Sequence, residues 1–328
     1  MERVTEEVRR RGSKRVLLQL PDGMRPFAIQ LSDLIKETTG AHVILSGDSC
    51  YGACDVATRQ AKEVGADLLI HYGHSRFLAS EDFPVVYVEA RVPVDVQKLI
   101  ETVAPHLEGW LRVGLTSTVQ HVAQLQEISD ALVKKGFKPF IGEGSGLTPE
   151  PGQILGCNYF QATSLPTEVD GFLFIGGGKF HPLGIAATTG KPVVMANPYN
   201  GSVTRLDDSE VMRLAKRRMA AITAIKAMRV IGVIVSSKPG QAAITDAIAI
   251  CHRLEERGFR ASLIYLDEVR ADLLNNFTEI EAFVDTACPR IALDSVMGID
   301  KPMITVAELR VVLGDASWEE IWGRRYFA

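Results

Sequence analysis

The sequence predicts an α/β protein of three repeated Rossmann-like domains, with mostly parallel sheets set around a pseudo-threefold axis. Two observations carry that expectation. Short, continuous β-branched runs alternate with helical segments along the chain, as expected for strands whose sheets are covered on both faces. The alternation also runs through one script three times: strand, helix, strand, helix or loop, strand, strand. At roughly 100–200 residues per domain, 328 residues are expected to form two or three domains. The script places them at 1–107, 108–226 and 227–328, the last carrying a C-terminal tail.

The first repeat follows a charged helical lead-in, MERVTEEVRRRGSKR. It opens with RVLLQLPDG (15–23), runs through a helix to Glu37, and continues with HVILSGD (42–48), ADLLIHYGHS (66–75) and PVVYVEA (84–90). The second opens with LRVGLTSTVQ (111–120) and a helix to Lys135, followed by FKPFIGEG (137–144), VDGFLFIGGGKFH (169–181) and KPVVMANPY (191–199). The third has RVIGVIVSSKPGQ (229–241), a helix to Gly258, FRASLIYLDE (259–268), IEAFVDTACPR (280–290) and KPMITVAEL (301–309). Gly, Ser, Pro and Asp clusters end these strands, as turn chemistry requires.

Composition narrows the function. The chain is 46% apolar, yet no apolar run approaches the roughly 18 residues that span a bilayer. The N-terminus has no signal-peptide apolar segment, so a cytoplasmic location is expected. A net charge of −4 argues against broad nucleic-acid binding, which needs a basic surface to release counterions. The arginine runs 9–11 and 217–218 read as solvated helix faces. Five cysteines, at 50, 54, 157, 251 and 288, are an odd number, and in a reducing compartment a disulfide framework is not expected.

Each repeat supplies one cysteine in a post-strand loop, where parallel sheets gather ligands. Cys54 lies in GDSCYGACD, Cys157 in PGQILGCNY and Cys288 in DTACPR. Three thiolates suit a [4Fe–4S] cluster with one iron open to substrate. Three unrelated buried cysteines are the plain alternative, since free Cys is among the most buried residue types. Zinc has less support, because neither Cys-x-x-Cys nor clustered histidine is present. Cys251 reads as core, on a helical face with Ile244, Ala247, Ile248 and Leu254, while His252 points away from it. Cys50 is a lesser ligand candidate.

The segments LPDG (20–23), YGACD (51–55), YGHS (72–75), ILGC (154–157), GGGKFHPLG (176–184), NPY (197–199) and ACPR (287–290) resemble those of the diphthamide-biosynthesis radical enzymes. These are the 2-(3-amino-3-carboxypropyl)histidine synthases, here in their short archaeal form. The resemblance runs nearly the whole chain. It implies three concatenated α/β domains, each giving a cysteine to one [4Fe–4S] cluster, which assigns Cys54, Cys157 and Cys288 as metal ligands and catalytic residues. It implies cleavage of the Cγ–S bond of S-adenosylmethionine and transfer of a 3-amino-3-carboxypropyl radical to a histidine of translation elongation factor 2. It also implies a homodimer and an electron donor that the sequence does not identify. Many eukaryotic relatives carry a second cysteine directly after the first ligand, where this chain has Asp55.

Cleavage at Cγ rather than the 5′ carbon depends on positioning, so polar residues of the same loops are candidate S-adenosylmethionine contacts. They are His74, Ser75, Lys179, His181, Tyr199, Gln241, Arg290 and Asp294. Arg290 suits the methionine carboxylate or the tuning of cluster charge. Lys179 follows three glycines but lacks the spacing and Lys-Ser/Thr ending of a Walker A loop. The tail WEEIWGRRYFA (318–328) reads as an amphipathic helix docked on a domain or dimer surface, with an elongation-factor contact as the alternative. Rival readings are a quinolinate synthase-like iron–sulfur enzyme, a non-catalytic iron–sulfur partner subunit, and a plain nucleotide-binding module.

Overall fold

The computed structural model describes residues 2–79, 82–294 and 298–323. It contains three sheets. The first comprises β1 (Arg15–Gln19), β2 (His42–Leu45), β3 (Leu68–Tyr72) and β4 (Val85–Val88), all parallel, in the order β2-β1-β3-β4. The second comprises β5 (Arg112–Ser117), β6 (Lys138–Ile141), β7 (Gly171–Ile175), β8 (Val193–Asn197) and β9 (Ser202–Arg205), ordered β6-β5-β7-β8-β9. The third comprises β10 (Val230–Ser236), β11 (Arg260–Leu266), β12 (Ala282–Asp285) and β13 (Met303–Thr305), ordered β11-β10-β12-β13 and parallel throughout. The expected script is therefore found three times with one topology. The addition to it is β9, which returns antiparallel on β8 and has no counterpart in the other sheets.

The repeat extends to side-chain volume. Gly114 in β5 pairs with Phe172 in β7, and a Cβ at Gly114 would lie 2.6 Å from the Phe172 ring. Gly232 in β10 pairs with Phe283 in β12, where a Cβ would lie 2.8 Å from that ring. In both central strands a missing side chain makes room for a fully buried Phe, whose burial stabilises by roughly 1.5–3 kcal/mol.

The chain divides into two compact units, residues 1–92 with 238–240, and residues 93–237 with 241–328. In the first unit, Val16, Leu18, Leu68 and Ile70 pack under Val4 and Val8 of the helix Glu2–Arg11 and Ile35 of the helix Ala28–Thr39. The alternate residues Leu17 and Leu69 meet Val56, Ala57 and Ala61 on the other face, as the period of two along a strand requires. In the second unit, the second and third sheets share one core. Phe172, Phe174 and Val193 join Val233, Val235 and Val284 around Leu214, Ile222 and Ile225 of the helix Asp208–Lys226. The opposite face of the second sheet is covered by the helices Val96–Val103 and Leu125–Lys134.

Two sequence expectations are corrected. The run at 9–11 is indeed at the surface, with Arg10 and Arg11 paired to Glu7, but Arg218 is 2% exposed. Its guanidinium donates to Glu308 at 2.8 and 2.6 Å and to the carbonyls of Ala292 and Met303, each at 2.7 Å. Glu308 also closes a capping box with Thr305. A partner 90 residues away is invisible to a local charge count. The face bearing Cys251 is also rotated: Ala247, Ile250 and Leu254 are buried, with Cys251 at the edge, while Ile244 and Ile248 are exposed. His252 is exposed as expected. At the tail, Trp318 and Trp322 stack at 4.8 Å and pack against the shared core of the second unit. The helical part is Trp318–Ile321, and the remaining tail residues, 324–328, lie outside those described.

Candidate iron–sulfur site

The chain in each sheet moves outward from the first strand in one direction and then, with the third strand, in the other. Ligand crevices open at that reversal, beyond the strands' carboxyl ends. In the first unit the reversal lies between β1 and β3, and its last register pair is Gln19 with His71. Gln19 Nε2 donates to the Asp55 carbonyl at 2.7 Å, and Gln19 Oε1 accepts from the Ala57 amide at 3.0 Å. His71 Nδ1 lies 2.7 Å from Gln19 Oε1, and His71 Nε2 lies 3.1 Å from His74 Nδ1. Burial pushes His71 down to about 3 and His74 down to about 4, so both rings are neutral at physiological pH.

The Cys54 loop sits over this strand end. Asp55 and Lys238 are both buried and form an ion pair at 3.0 Å, and Asp55 Oδ2 accepts from the Tyr51 amide at 3.2 Å. The Lys238 ammonium also lies 5.5 Å from the centre of the Tyr51 ring. The Gly240 amide donates to the Cys54 carbonyl at 2.8 Å, and a Cβ at Gly240 would fall 2.5 Å from Cys54 Cα and Cβ. Only glycine permits that approach. Cys54 is half-buried, whereas Cys50 is buried and its thiol is pushed up to about 12, chiefly by loss of solvent and then by Asp55. One ligand atom from each of Cys50, His71 and His74 lies within 4.8 Å of the others, which corrects the expectation of no clustered histidine: the fold adds Cys50 to a His-x-x-His pair on β3 and the loop after it. Ser75 is buried beside them in sequence.

In the second unit, Cys157 and Cys288 both lie near enough to Tyr159 to act on its hydroxyl. Gly156 and Cys157 are the two central residues of a tight turn closed by reciprocal bonds between Leu155 and Asn158, at 3.0 and 3.1 Å. Cys288 precedes the helix Pro289–Asp294, whose first residue is a proline, well suited to that position. Asp285 Oδ1 accepts from the amides of Ala287 and Cys288 at 2.9 and 3.3 Å and so shapes this turn. Burial pushes the Asp285 carboxyl up to about 7. Tyr159 is 3% exposed; burial raises its hydroxyl pKa first, and Cys157 and Cys288 both add to the rise. Both thiols are half-buried.

Arg290 joins the two turns. Its guanidinium carbon lies over the Phe180 ring, 4.4 Å from the ring centre, and Nε donates to Asp294 at 2.9 Å. A Cβ at Gly156 would lie 3.3 Å from Arg290 Cδ and 2.8 Å from the Phe180 ring. His181 is stacked on Phe174 and set edgewise to Phe180, each at 5.8 Å, and burial pushes it down to about 4. Of the sequence candidates in this unit, Cys157, Cys288, Arg290 and Asp294 thus come together, with His181 behind Phe180. Lys179 instead pairs with Glu210 at 3.0 Å on the surface. Tyr199 is exposed and packs edgewise on His121, and Gln241 lies half-buried before the helix Ile244–Glu256.

Sequence reasoning passed over Gln19, His71, Lys238, Tyr159 and Asp285. For Gln19, His71 and Asp285 a signal existed: each is a polar residue at or near the carboxyl end of a strand, directly preceded by a run of buried apolar residues. Buried polar groups at such positions need partners. Lys238 and Tyr159 gave no such signal, because their partners are distant in sequence or fixed by packing.

A family profile described as "Putative diphthamide synthesis protein" matches residues 20–323. The 2-(3-amino-3-carboxypropyl)histidine synthase of Pyrococcus horikoshii is 38% identical over 324 residues, covering 98% of this chain and 92% of that protein. Subunit 1 of the Gallus gallus enzyme is 31% identical over 327 residues, covering 98% of this chain and 78% of that protein. A crystal structure of Dph2 from Pyrococcus horikoshii with a 4Fe-4S cluster superposes with a TM-score of 0.88 at 37% identity, covering 96% of this chain and 90% of that one. Likeness of this extent, spanning all three sheets and every cysteine loop, places the chain in the diphthamide synthesis protein family.

Proposed function

We propose that the protein is a 2-(3-amino-3-carboxypropyl)histidine synthase that moves a 3-amino-3-carboxypropyl group from S-adenosylmethionine to a histidine of translation elongation factor 2. The observation that carries this reading is the whole-chain likeness to the Pyrococcus horikoshii enzyme, joined to one half-buried cysteine in a post-strand loop of each repeat. Cys54, Cys157 and Cys288 are the proposed ligands of a [4Fe–4S] cluster. Their donor set fits it, because thiolates are the usual ligands of such clusters.

When bound, the cluster would supply the electron that breaks the Cγ–S bond, and an open iron would hold the sulfonium substrate. The chain supplies orientation. Arg290 keeps guanidinium donors beyond those spent on Asp294, and these suit the carboxylate of the amino-acid end. His74, Ser75, Lys179, His181, Tyr199, Gln241 and Asp294 complete the proposed contact set; Lys179 must leave Glu210 to join it. The three α/β domains 1–107, 108–226 and 227–328, a homodimeric assembly and a cytoplasmic location belong to the same proposal. No helix among the described residues is long and apolar enough to cross a membrane.

The test is anaerobic. Protein with a reconstituted cluster is given dithionite and S-adenosylmethionine, and the small-molecule products are identified by mass spectrometry. Methylthioadenosine with an aminocarboxypropyl fragment is the expected result. Production of 5′-deoxyadenosine, or no cleavage from a fully loaded cluster, would sink the reading.

A further inference from the structure

The hydrogen bonds at the end of the first sheet fix more than geometry. A backbone amide can only donate and a carbonyl can only accept, so Ala57 and Asp55 settle which end of the Gln19 amide is oxygen. His71 Nδ1, at 2.7 Å from that oxygen, must carry a proton. A neutral ring has only one, so His71 Nε2 is a bare acceptor. Its neighbour at 3.1 Å, His74 Nδ1, must therefore be the donor, which leaves His74 Nε2 bare in turn. The directions run unbroken from two backbone groups to the half-buried His74.

We propose that Gln19 is a positioning residue: through His71 it locks His74 in the Nδ1–H tautomer, so that His74 Nε2 accepts a hydrogen bond from a hydroxyl or ammonium group of the sulfonium nucleoside substrate. The place supports a ligand role. Gln19 and His71 are register partners on β1 and β3, the strands between which the chain order reverses and a crevice opens. His74 lies in the loop just beyond, at the same end of the sheet as the Cys54 loop. Low pKa values of about 3 and 4 keep both rings in the one-proton state the relay requires. Cys50, whose side chain is close to both rings, remains a neutral thiol and does not reverse the relay's direction. The ligand half of the proposal rests on the function proposed above; the tautomer half does not.

Two experiments separate those halves. Nitrogen-15 NMR of the histidine side chains in cluster-free, substrate-free protein reads the tautomers directly. Nδ1–H signals with unprotonated Nε2 are expected for both His71 and His74. Gln19→Leu should lose this pattern, while Gln19→Glu, which retains an acceptor for His71, should keep it; circular dichroism checks that each variant is folded. An Nε2–H tautomer at His74 in the wild type, or a pattern unchanged in folded Gln19→Leu, would overturn the lock. Calorimetric titration of cluster-loaded protein with S-adenosylmethionine under argon then tests the ligand half. Gln19→Leu should raise Kd roughly tenfold, the factor that corresponds to about one hydrogen bond, with Gln19→Glu closer to wild type. Wild-type affinity in Gln19→Leu would overturn the ligand role. Failure of the wild type itself to bind S-adenosylmethionine would overturn the proposed function and, with it, the ligand half, leaving the tautomer result standing on its own.

Discussion

The carboxyl ends of the first and third sheets meet the same problem with different chemistry. Each has a polar residue in its third strand, beyond reach of water: His71 in β3 and Asp285 in β12. In the first sheet the buried polarity is neutral and passed along, from Gln19 to His71 to His74. In the third it is an acid that folds back on its own turn, one oxygen holding the amides of Ala287 and Cys288. Burial drives both toward the neutral form, His71 down to about 3 and Asp285 up to about 7. One topology therefore yields two devices. The first aims a side chain outward into a loop, and the third shapes the loop that carries a cysteine.

The largest test of this contrast is at the cysteines. Cys54→Ala, Cys157→Ala or Cys288→Ala should abolish iron binding and reduce methylthioadenosine formation by about a thousandfold or more, a loss of over 4 kcal/mol in barrier. Cys251→Ala should leave both largely intact, because that residue only edges a core. Iron content and anaerobic turnover would decide it. Equal loss in Cys251→Ala would show that the post-strand loops are not what distinguishes ligands from packing residues.

Next comes the support behind the third-sheet turn. Arg218 grips the Ala292 carbonyl in the helix that follows Cys288, as well as Glu308. Arg218→Met leaves Glu308 buried and uncompensated, and should cost about 3–5 kcal/mol. The double variant with Glu308→Leu should recover much of that loss. Chemical denaturation of the four proteins measures the coupling, and an additive double variant would refute it.

The first-sheet device should be readable in pH. Above pH 6.5 His71 is neutral in the folded and unfolded states alike. Below it the unfolded chain binds a proton that the folded ring refuses until about pH 3, so stability falls as pH falls through that window. From pH 6.5 to 5 the contribution of this one ring is about 2 kcal/mol. His71→Gln should remove that share of the acid loss, seen as a smaller drop in apparent Tm between pH 7 and pH 5. An identical drop would mean that the ring is hydrated in solution.

The last test is at Gly240→Ala, beside the Cys54 loop. The new methyl would meet Cys54 Cα and Cβ at 2.5 Å, backbone that cannot swing aside like a flexible side chain. A stability loss of about 1–3 kcal/mol is expected, with reduced iron retention because the Cys54 loop must shift. Wild-type iron retention at unchanged Tm would show that the loop yields freely.

Much of this was legible along the chain. The β-branched runs and their turn clusters located all twelve strands of the threefold script, because a strand buried on both faces must be apolar and short. The cysteine loops followed from their position after strands, and the family resemblance from local motifs spread over the chain. Other features were not legible. The antiparallel β9 is SVTR, with only one of its four residues even partly buried, too little pattern to mark a strand. Arg218 reads as half of a surface Arg-Arg pair until the helix Asp208–Lys226 is packed against Glu308. The face of the helix Ile244–Glu256 is set by which side meets β10 and β11, which is why Ile244 and Ile248 are left outside.

The sequence by itself determined the three α/β repeats, their strand positions and the three cysteine loops, since hydrophobic period and turn chemistry act between residues near one another in the chain. Tertiary structure decided that the second and third sheets share one core, that Lys238 neutralises Asp55 beside Cys54, and that Gln19 directs two histidines. These choices depend on burial and on partners up to 183 residues apart. A buried polar atom is costly until it finds its partner, and chain proximity does not say which partner folding will bring.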